Sequence, residues 1–96
     1  MGIEQLLKEK RKEILAIAER HGAYNIRIFG SVARGEATPD SDIDLLVEVG
    51  KKHSFFFPGG LIHDLELLLG RRVQVVTEKA LHHSIRDQVM HEAIAI

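Results

Sequence analysis

Two pieces of this chain carry residue types that can handle phosphate. One is Phe29-Gly30-Ser31-Val32-Ala33-Arg34-Gly35. The other is Asp42-Ile43-Asp44-Leu45-Leu46-Val47, reached through the polar turn Thr38-Pro39-Asp40-Ser41. The apolar run over 43–47 predicts a strand, and strand side chains alternate between faces. Asp42 and Asp44 then project together, and Ile43 and Leu45 project the other way. Magnesium takes octahedral oxygen coordination and binds one or two carboxylates, with water and substrate phosphates completing its shell. Two Asp residues at i and i+2 can share one ion or bridge two. Such ions supply the positioning and charge stabilisation on which phosphoryl and nucleotidyl transfer depend. A bare Asp-x-Asp would more simply be a solvated strand end. At the mouth of a buried strand, however, two like charges disfavour each other's ionisation, and a bound cation would offset that cost.

The Gly-Ser turn is the complementary half. Asn25-Ile26-Arg27-Ile28-Phe29 reads as a strand. Gly30 permits a sharp turn and a close approach by a ligand. Ser31 suits the N-cap of a short helix beginning at Val32. A helix start presents free N–H groups to phosphate, and the Ser31 hydroxyl would add a donor. An ordinary capped turn would look the same, so this dipeptide carries weight only through its partner motif. Arg34 has two readings, a phosphate contact and a pair with a nearby carboxylate, and the second comes first. Gly35 closes the short helix.

Gly30-Ser31, ten intervening residues, then Asp42-x-Asp44 resembles the signature of the DNA polymerase β nucleotidyltransferase superfamily. The fuller strings Phe-Gly-Ser-x-Ala-Arg-Gly and Ser-Asp-Ile-Asp-Leu-Leu-Val resemble those of the minimal nucleotidyltransferases, and the likeness spans nearly the whole chain. The resemblance implies an α/β (α+β) fold, a small mixed sheet flanked by helices. It implies ATP with Mg2+ as substrate, Gly30, Ser31 and Arg34 at the nucleotide, and Asp42 and Asp44 as metal-holding catalytic residues. It also implies an antitoxin role beside a helical HEPN-type toxin, whose tyrosine hydroxyl receives AMP in members of the family.

One position departs from the family pattern. A third carboxylate is expected on a later strand, in a Val-Asp-Leu-Val-like string. Here Arg72-Val73-Gln74-Val75-Val76-Thr77 stands there. Gln74 carries no charge, cannot act as a base and is a poor magnesium ligand. Removing a general base costs about two to four powers of ten in rate. Glu78, just past the strand, suits a helix start better than a replacement role.

At 96 residues the chain has room for one core, so residues 1–96 are expected to form a single domain. It has no cysteine, which excludes disulfides and thiolate metal sites. No apolar run is long enough to span a membrane and the charged start is not a signal peptide, so a cytoplasmic location is expected. The net charge of −1 argues against broad nucleic-acid binding. Lys8, Lys10, Arg11 and Lys12 form a basic cluster, which Glu9 and Glu13 interrupt; it reads as a solvated helix face.

The remaining pattern supplies scaffold. A helix is expected from Ile3 to about His21, with Ile3, Leu7, Ile14 and Ala18 as its apolar stripe and Leu6 and Ile17 beside it, ended by Gly22. The loop from Gly50 to Gly60 carries Phe55-Phe56-Phe57, which cannot all face one way. It reads as a lid on the core first and as an exposed partner or base-stacking surface second. Leu61–Leu69 is a helix stopped by Gly70. Thr77 is the expected N-cap of a last helix running to about His91, with Leu81, Ile85 and Val89 as its stripe. Ala93 to Ile96 suits a short edge strand. His83, Asp87 and His91 share a helix face. A zinc site there lacks further ligands, so a polar surface is the better reading, as for His63 and His82.

Two functional classes follow. In the first, Mg-ATP binds at Ser31, Asp42 and Asp44, and AMP passes to a hydroxyl of a partner protein. A chain this short has no acceptor-binding domain, so the acceptor surface comes from that partner or from a homo- or hetero-oligomer. In the second, the fold is kept without the chemistry, and the protein neutralises its toxin by direct contact. A free-standing nucleotide-binding regulator is a weaker third.

Overall fold

The computed structural model describes residues 2–53 and 56–96. Its elements run α1 (Ile3–Glu9), α2 (Arg11–Arg20), β1 (Ala23–Phe29), α3 (Gly30–Ala33), β2 (Ile43–Val49), α4 (Gly59–Leu69) and β3 (Val73–Thr77). A 3-10 turn (Glu78–Ala80), α5 (His83–Glu92) and β4 (Ile94–Ala95) complete them. The sheet has the order β3-β2-β1-β4. β1 is antiparallel to both β2 and β4, whereas β2 and β3 are parallel. Parallel neighbours need a crossover, and α4 provides it. The architecture is the mixed sheet with flanking helices that the family resemblance implies.

Alternation along β2 sorts the sheet into two faces. Ile43, Leu45 and Val47 are at most 1% exposed. They join Val73 and Val75 of β3, Leu61, Leu65 and Leu69 of α4, and Ile14, Ile17 and Ala18 of α2 in one core. Full burial of each Val, Leu or Ile among them contributes about 1.5–3 kcal/mol, so this face anchors the fold. The opposite face carries Asp44, buried Leu46 and exposed Gln74. Arg27 and Glu78 pair there at 2.7 Å, and α5 contributes the buried Val89. Glu78 is therefore engaged in holding the second face.

Three expectations are corrected. The first helix is two helices, broken at Lys10 with φ −98° and ψ 7°. A straight rod touches a curved core only over part of its length, and the break lets both Leu7 and the stripe of Ile14, Ile17 and Ala18 be buried. Thr77 does not cap the last helix. Its hydroxyl accepts the Ala80 N–H of the 3-10 turn. The extended Leu81 and His82 then redirect the chain, and the His82 side chain caps α5 by accepting from Ser84. The 3-10 turn is pinned by Arg27 on the Glu78 carboxylate and by Arg86 on the Glu78 carbonyl, which prevents one continuous helix. The expected stripe is broken accordingly, since Val89 is buried but Ile85 is 47% exposed.

Gly70 ends α4 in the left-handed region at φ 65°, as its position suggests. In the loop before α4, Phe57 packs against the core while Phe56 stays exposed. Phe55 lies outside the described residues. No described helix is long and apolar enough to cross a membrane.

Candidate active site

Phe29 ends β1 in an extended conformation, and Gly30 turns the chain at φ +72°. The left-handed region alone favours glycine. A second constraint acts here: a Cβ built on Gly30 would overlap the Asp44 carboxylate. The Gly-Ser turn and the second Asp therefore touch, with the missing side chain leaving them room. The N-cap position belongs to Phe29, which makes no side-chain capping bond, so the expected cap at Ser31 is corrected. The helix starts at Gly30, two residues earlier than expected, because Gly30 itself supplies the bend. The Ser31 hydroxyl makes no hydrogen bond among the described residues.

Strand pairing sets Asp44 opposite Phe29 on β1 and opposite Gln74 on β3. Gln74 thus stands beside Asp44 on the same face. Asp42 sits one residue before β2, half-buried. Its Oδ1 lies 3.0 Å from Arg72 Nε, yet the contact lacks hydrogen-bond direction and leaves this buried oxygen unsatisfied. Arg72 is 79% exposed, so the ion pair is a weak one. The Asp44 pKa is raised, first by burial and then by the charge of Asp42, with Glu92 adding to it and Arg34 opposing.

The turn that delivers Asp42 is held from below by Arg71. Its Nη2 donates to the carbonyls of Thr38, Pro39 and Ser41 at 3.0, 2.8 and 2.9 Å. Within the turn, Ser41 Oγ accepts the Thr38 N–H at 2.8 Å. Arg34 is paired with Glu36 at 2.8 Å and with Glu92 at 3.2 Å. These carboxylates, Glu36 first, raise its pKa.

Glu92 is one residue that sequence reasoning missed. It comes from the end of α5 and accepts the Gly30 N–H at 3.1 Å. No local pattern announces a contact across 62 positions. Arg71 was missed for the same reason, since only the folded chain brings it beneath residues 38–41.

The donor set suits a hard cation. Two carboxylates, one with a buried unsatisfied oxygen, match magnesium's habit of taking few protein ligands. Among the described residues no group of three His, Cys, Asp or Glu side chains is gathered for a metal. His83, Asp87 and His91 are all exposed, as a polar helix face should be. A cleft of about 190 Å³ opens at Asp42, with Ser41, Arg71 and Arg72 in its wall. A larger cavity of about 350 Å³ lies between the start of α1 and residues 32–39 and does not reach the carboxylates. Neither cavity is lined by Gly30, Ser31 or Asp44.

Comparison with known proteins agrees with this architecture. The nucleotidyltransferase domain family model matches residues 7–96. Protein adenylyltransferase MntA of Thermococcus cleftensis is 38% identical, over 98% of this chain and 92% of its own. A solved structure provisionally described as a minimal nucleotidyltransferase superposes with a TM-score of 0.85 and 45% identity, covering 100% of this chain and 97% of that one. A toxin–antitoxin structure with AMP-PNP shares the fold at a TM-score of 0.73 and 21% identity, over 88% of this chain and 69% of that one.

Proposed function

We propose, from the premise that this chain belongs to the nucleotidyltransferase domain family and to its minimal nucleotidyltransferase branch, that it transfers AMP from Mg-ATP to a hydroxyl of a partner protein. Residues 1–96 act as one domain, in the cytoplasm. The observation that carries the reading is the contact of Gly30 with Asp44, which joins a phosphate-facing turn to a carboxylate.

The Gly30-Ser31 turn binds the triphosphate through the N–H groups after Gly30 and the Ser31 hydroxyl, the Gly30 N–H being taken by Glu92. Arg34 contributes through the turn it holds. Asp42 and Asp44 would hold Mg2+, which when bound neutralises phosphate charge and polarises the α-phosphorus. In the transfer, the acceptor oxygen bonds to the α-phosphorus and the bond to the β-phosphate bridging oxygen breaks. Pyrophosphate leaves with that electron pair, and the hydroxyl proton passes to water. Gln74 accepts no proton, so transfer is slower than with a carboxylate at that position.

The relative named protein adenylyltransferase and the toxin–antitoxin neighbour support a toxin as the acceptor. A helical HEPN-type toxin with an exposed hydroxyl fits the family resemblance. A second reading, neutralisation by contact alone, is favoured by the uncharged Gln74 beside Asp44.

The test is calorimetric titration of ATP with Mg2+ and with EDTA, on the wild-type chain and on Asp42→Asn/Asp44→Asn, followed by transfer of labelled AMP to the co-expressed partner. Magnesium-dependent binding abolished in the double variant is expected. Binding without transfer would favour contact alone, and no binding in any condition would sink the nucleotide site.

A further inference from the structure

Glu92 joins the carboxy-terminal helix to the Gly-Ser turn. Oε1 of its carboxylate accepts the Gly30 N–H at 3.1 Å. Both its oxygens accept from Arg34 Nη1, at 3.3 and 3.2 Å. The Glu92 side chain is 16% exposed against 44% for Arg34, so the carboxylate is the sheltered member of the pair. Two residues further on, β4 is laid on β1, with Ile94 opposite Ile28 and Ala95 opposite Arg27. The end of α5 is thus tied to β1 by backbone pairing at residues 27–28 and to the start of α3 by a carboxylate at residue 30.

This arrangement addresses a weakness of the turn. Gly30 has no side chain and wide conformational freedom, yet it must hold one conformation for Asp44 to fit against it. α3 has only four residues, too few to be rigid by itself. A charge-assisted hydrogen bond on the Gly30 amide selects one conformation, and the Arg34 pair fixes the other end of the same four-residue element. With the Gly30 N–H occupied, the donors that remain for phosphate are the N–H groups after it and the Ser31 hydroxyl.

We propose that Glu92 is a positioning residue of the nucleotide site, holding Gly30 and Arg34 so that Ser31 and the following amides face the phosphates beside Asp44. The proposal rests on the nucleotide-binding reading above. It makes the last turn of α5 part of the site, although that turn carries no motif.

Two readouts on the full chain test it: hydrogen exchange at the Gly30 amide by NMR without nucleotide, and calorimetric affinity for Mg-ATP. In Glu92→Ala, Gly30 should exchange faster and Mg-ATP affinity should fall roughly tenfold, the loss of about one charge-assisted hydrogen bond. Glu92→Gln keeps an acceptor oxygen, so it should restore Gly30 protection and recover part of the affinity. Circular dichroism checks folding; if Glu92→Ala does not fold, Glu92→Asp, which shortens the reach, takes its place. Faster Gly30 exchange with unchanged affinity would overturn the proposal. So would tighter Mg-ATP binding in the variants, which would make Glu92 a competitor of phosphate. Absence of Mg-ATP binding by the unmutated chain would sink the nucleotide reading itself, and the proposal with it. That failure is distinct, because it is read on the wild type.

Discussion

Gln74 stands opposite Asp44 across the parallel ladder of β2 and β3, exposed on the face that carries the carboxylate. In the proposed site, residue 74 would border the ion assigned to Asp44. Gln74→Asp would place a third carboxylate there. AMP transfer to the partner protein, followed with labelled ATP, is expected to rise about 10²-fold. Without divalent cation the same variant should melt lower than wild type, because a new negative charge faces Asp44, and Mg2+ should recover the difference. An unchanged transfer rate would show that the site does not use a carboxylate at this position.

Gly30→Ala meets two obstacles together: the positive φ and the Asp44 carboxylate in the path of the new methyl. A strained left-handed residue costs on the order of 1–3 kcal/mol. Urea unfolding should show a loss in that range. Asp44→Ala in the same background should recover part of it by removing the clash, whereas the φ cost stays.

Asp44 also predicts a pH dependence. Its carboxyl titrates above its ordinary value because burial, then Asp42, disfavour the charge. A raised acid pKa means that the native state holds its proton more tightly than the unfolded chain. Stability is therefore lost as the pH rises from the unfolded value through the folded pKa, and the loss is complete above it. Asp44→Asn should be the more stable protein at neutral pH without divalent cation, and its advantage should vanish below about pH 4, where both states of the wild type are protonated. Thermal melts across this range decide the matter, and a loss of stability at neutral pH would contradict it.

Arg71 holds three carbonyls of the turn before Asp42 with one nitrogen. Arg71→Ala should destabilise the chain by about 1–3 kcal/mol in urea unfolding, the cost of unpaired acceptors. It should also weaken Mg-ATP binding more than Arg72→Ala does, because Arg72 makes only an exposed pair with Asp42. Equal effects of the two variants would remove Arg71 from the positioning of Asp42.

On the acid side, Asp64 acts in the opposite sense to Asp44. Its carboxylate accepts from His21 at 2.8 Å, and that hydrogen bond lowers its pKa. A depressed acid pKa stabilises the fold above the unfolded value of about 3.9, and the contribution is lost as the pH falls through the folded pKa. Asp64→Asn should therefore be less stable than wild type near neutrality, with the gap closing in acid.

Local patterns made much of this protein legible. Alternation over Ile43–Val47 identifies β2 and sends Ile43, Leu45 and Val47 to the core, because a strand has no other way to arrange side chains. Gly70 ends α4 because the left-handed region costs glycine nothing. The spacing of Gly30-Ser31 from Asp42 and Asp44 identifies a candidate site within one stretch of chain. Capping was less legible. Ser31 and Thr77 are both good N-cap residues, but the bend at Gly30 and the pinned Glu78 moved the real boundaries elsewhere.

The amino-acid sequence by itself determined what depends on neighbours along the chain: the strand faces, the glycine turns and the pairing of a Gly-Ser turn with two carboxylates. Tertiary structure alone decided that Gln74 borders Asp44, that Arg71 supports the turn before Asp42, and that Glu92 closes on Gly30. The physical reason is distance along the chain. Residues 30 and 92 share no helical or strand period, and their hydrogen bond exists only because β4 pairs with β1 and brings the end of α5 to the turn.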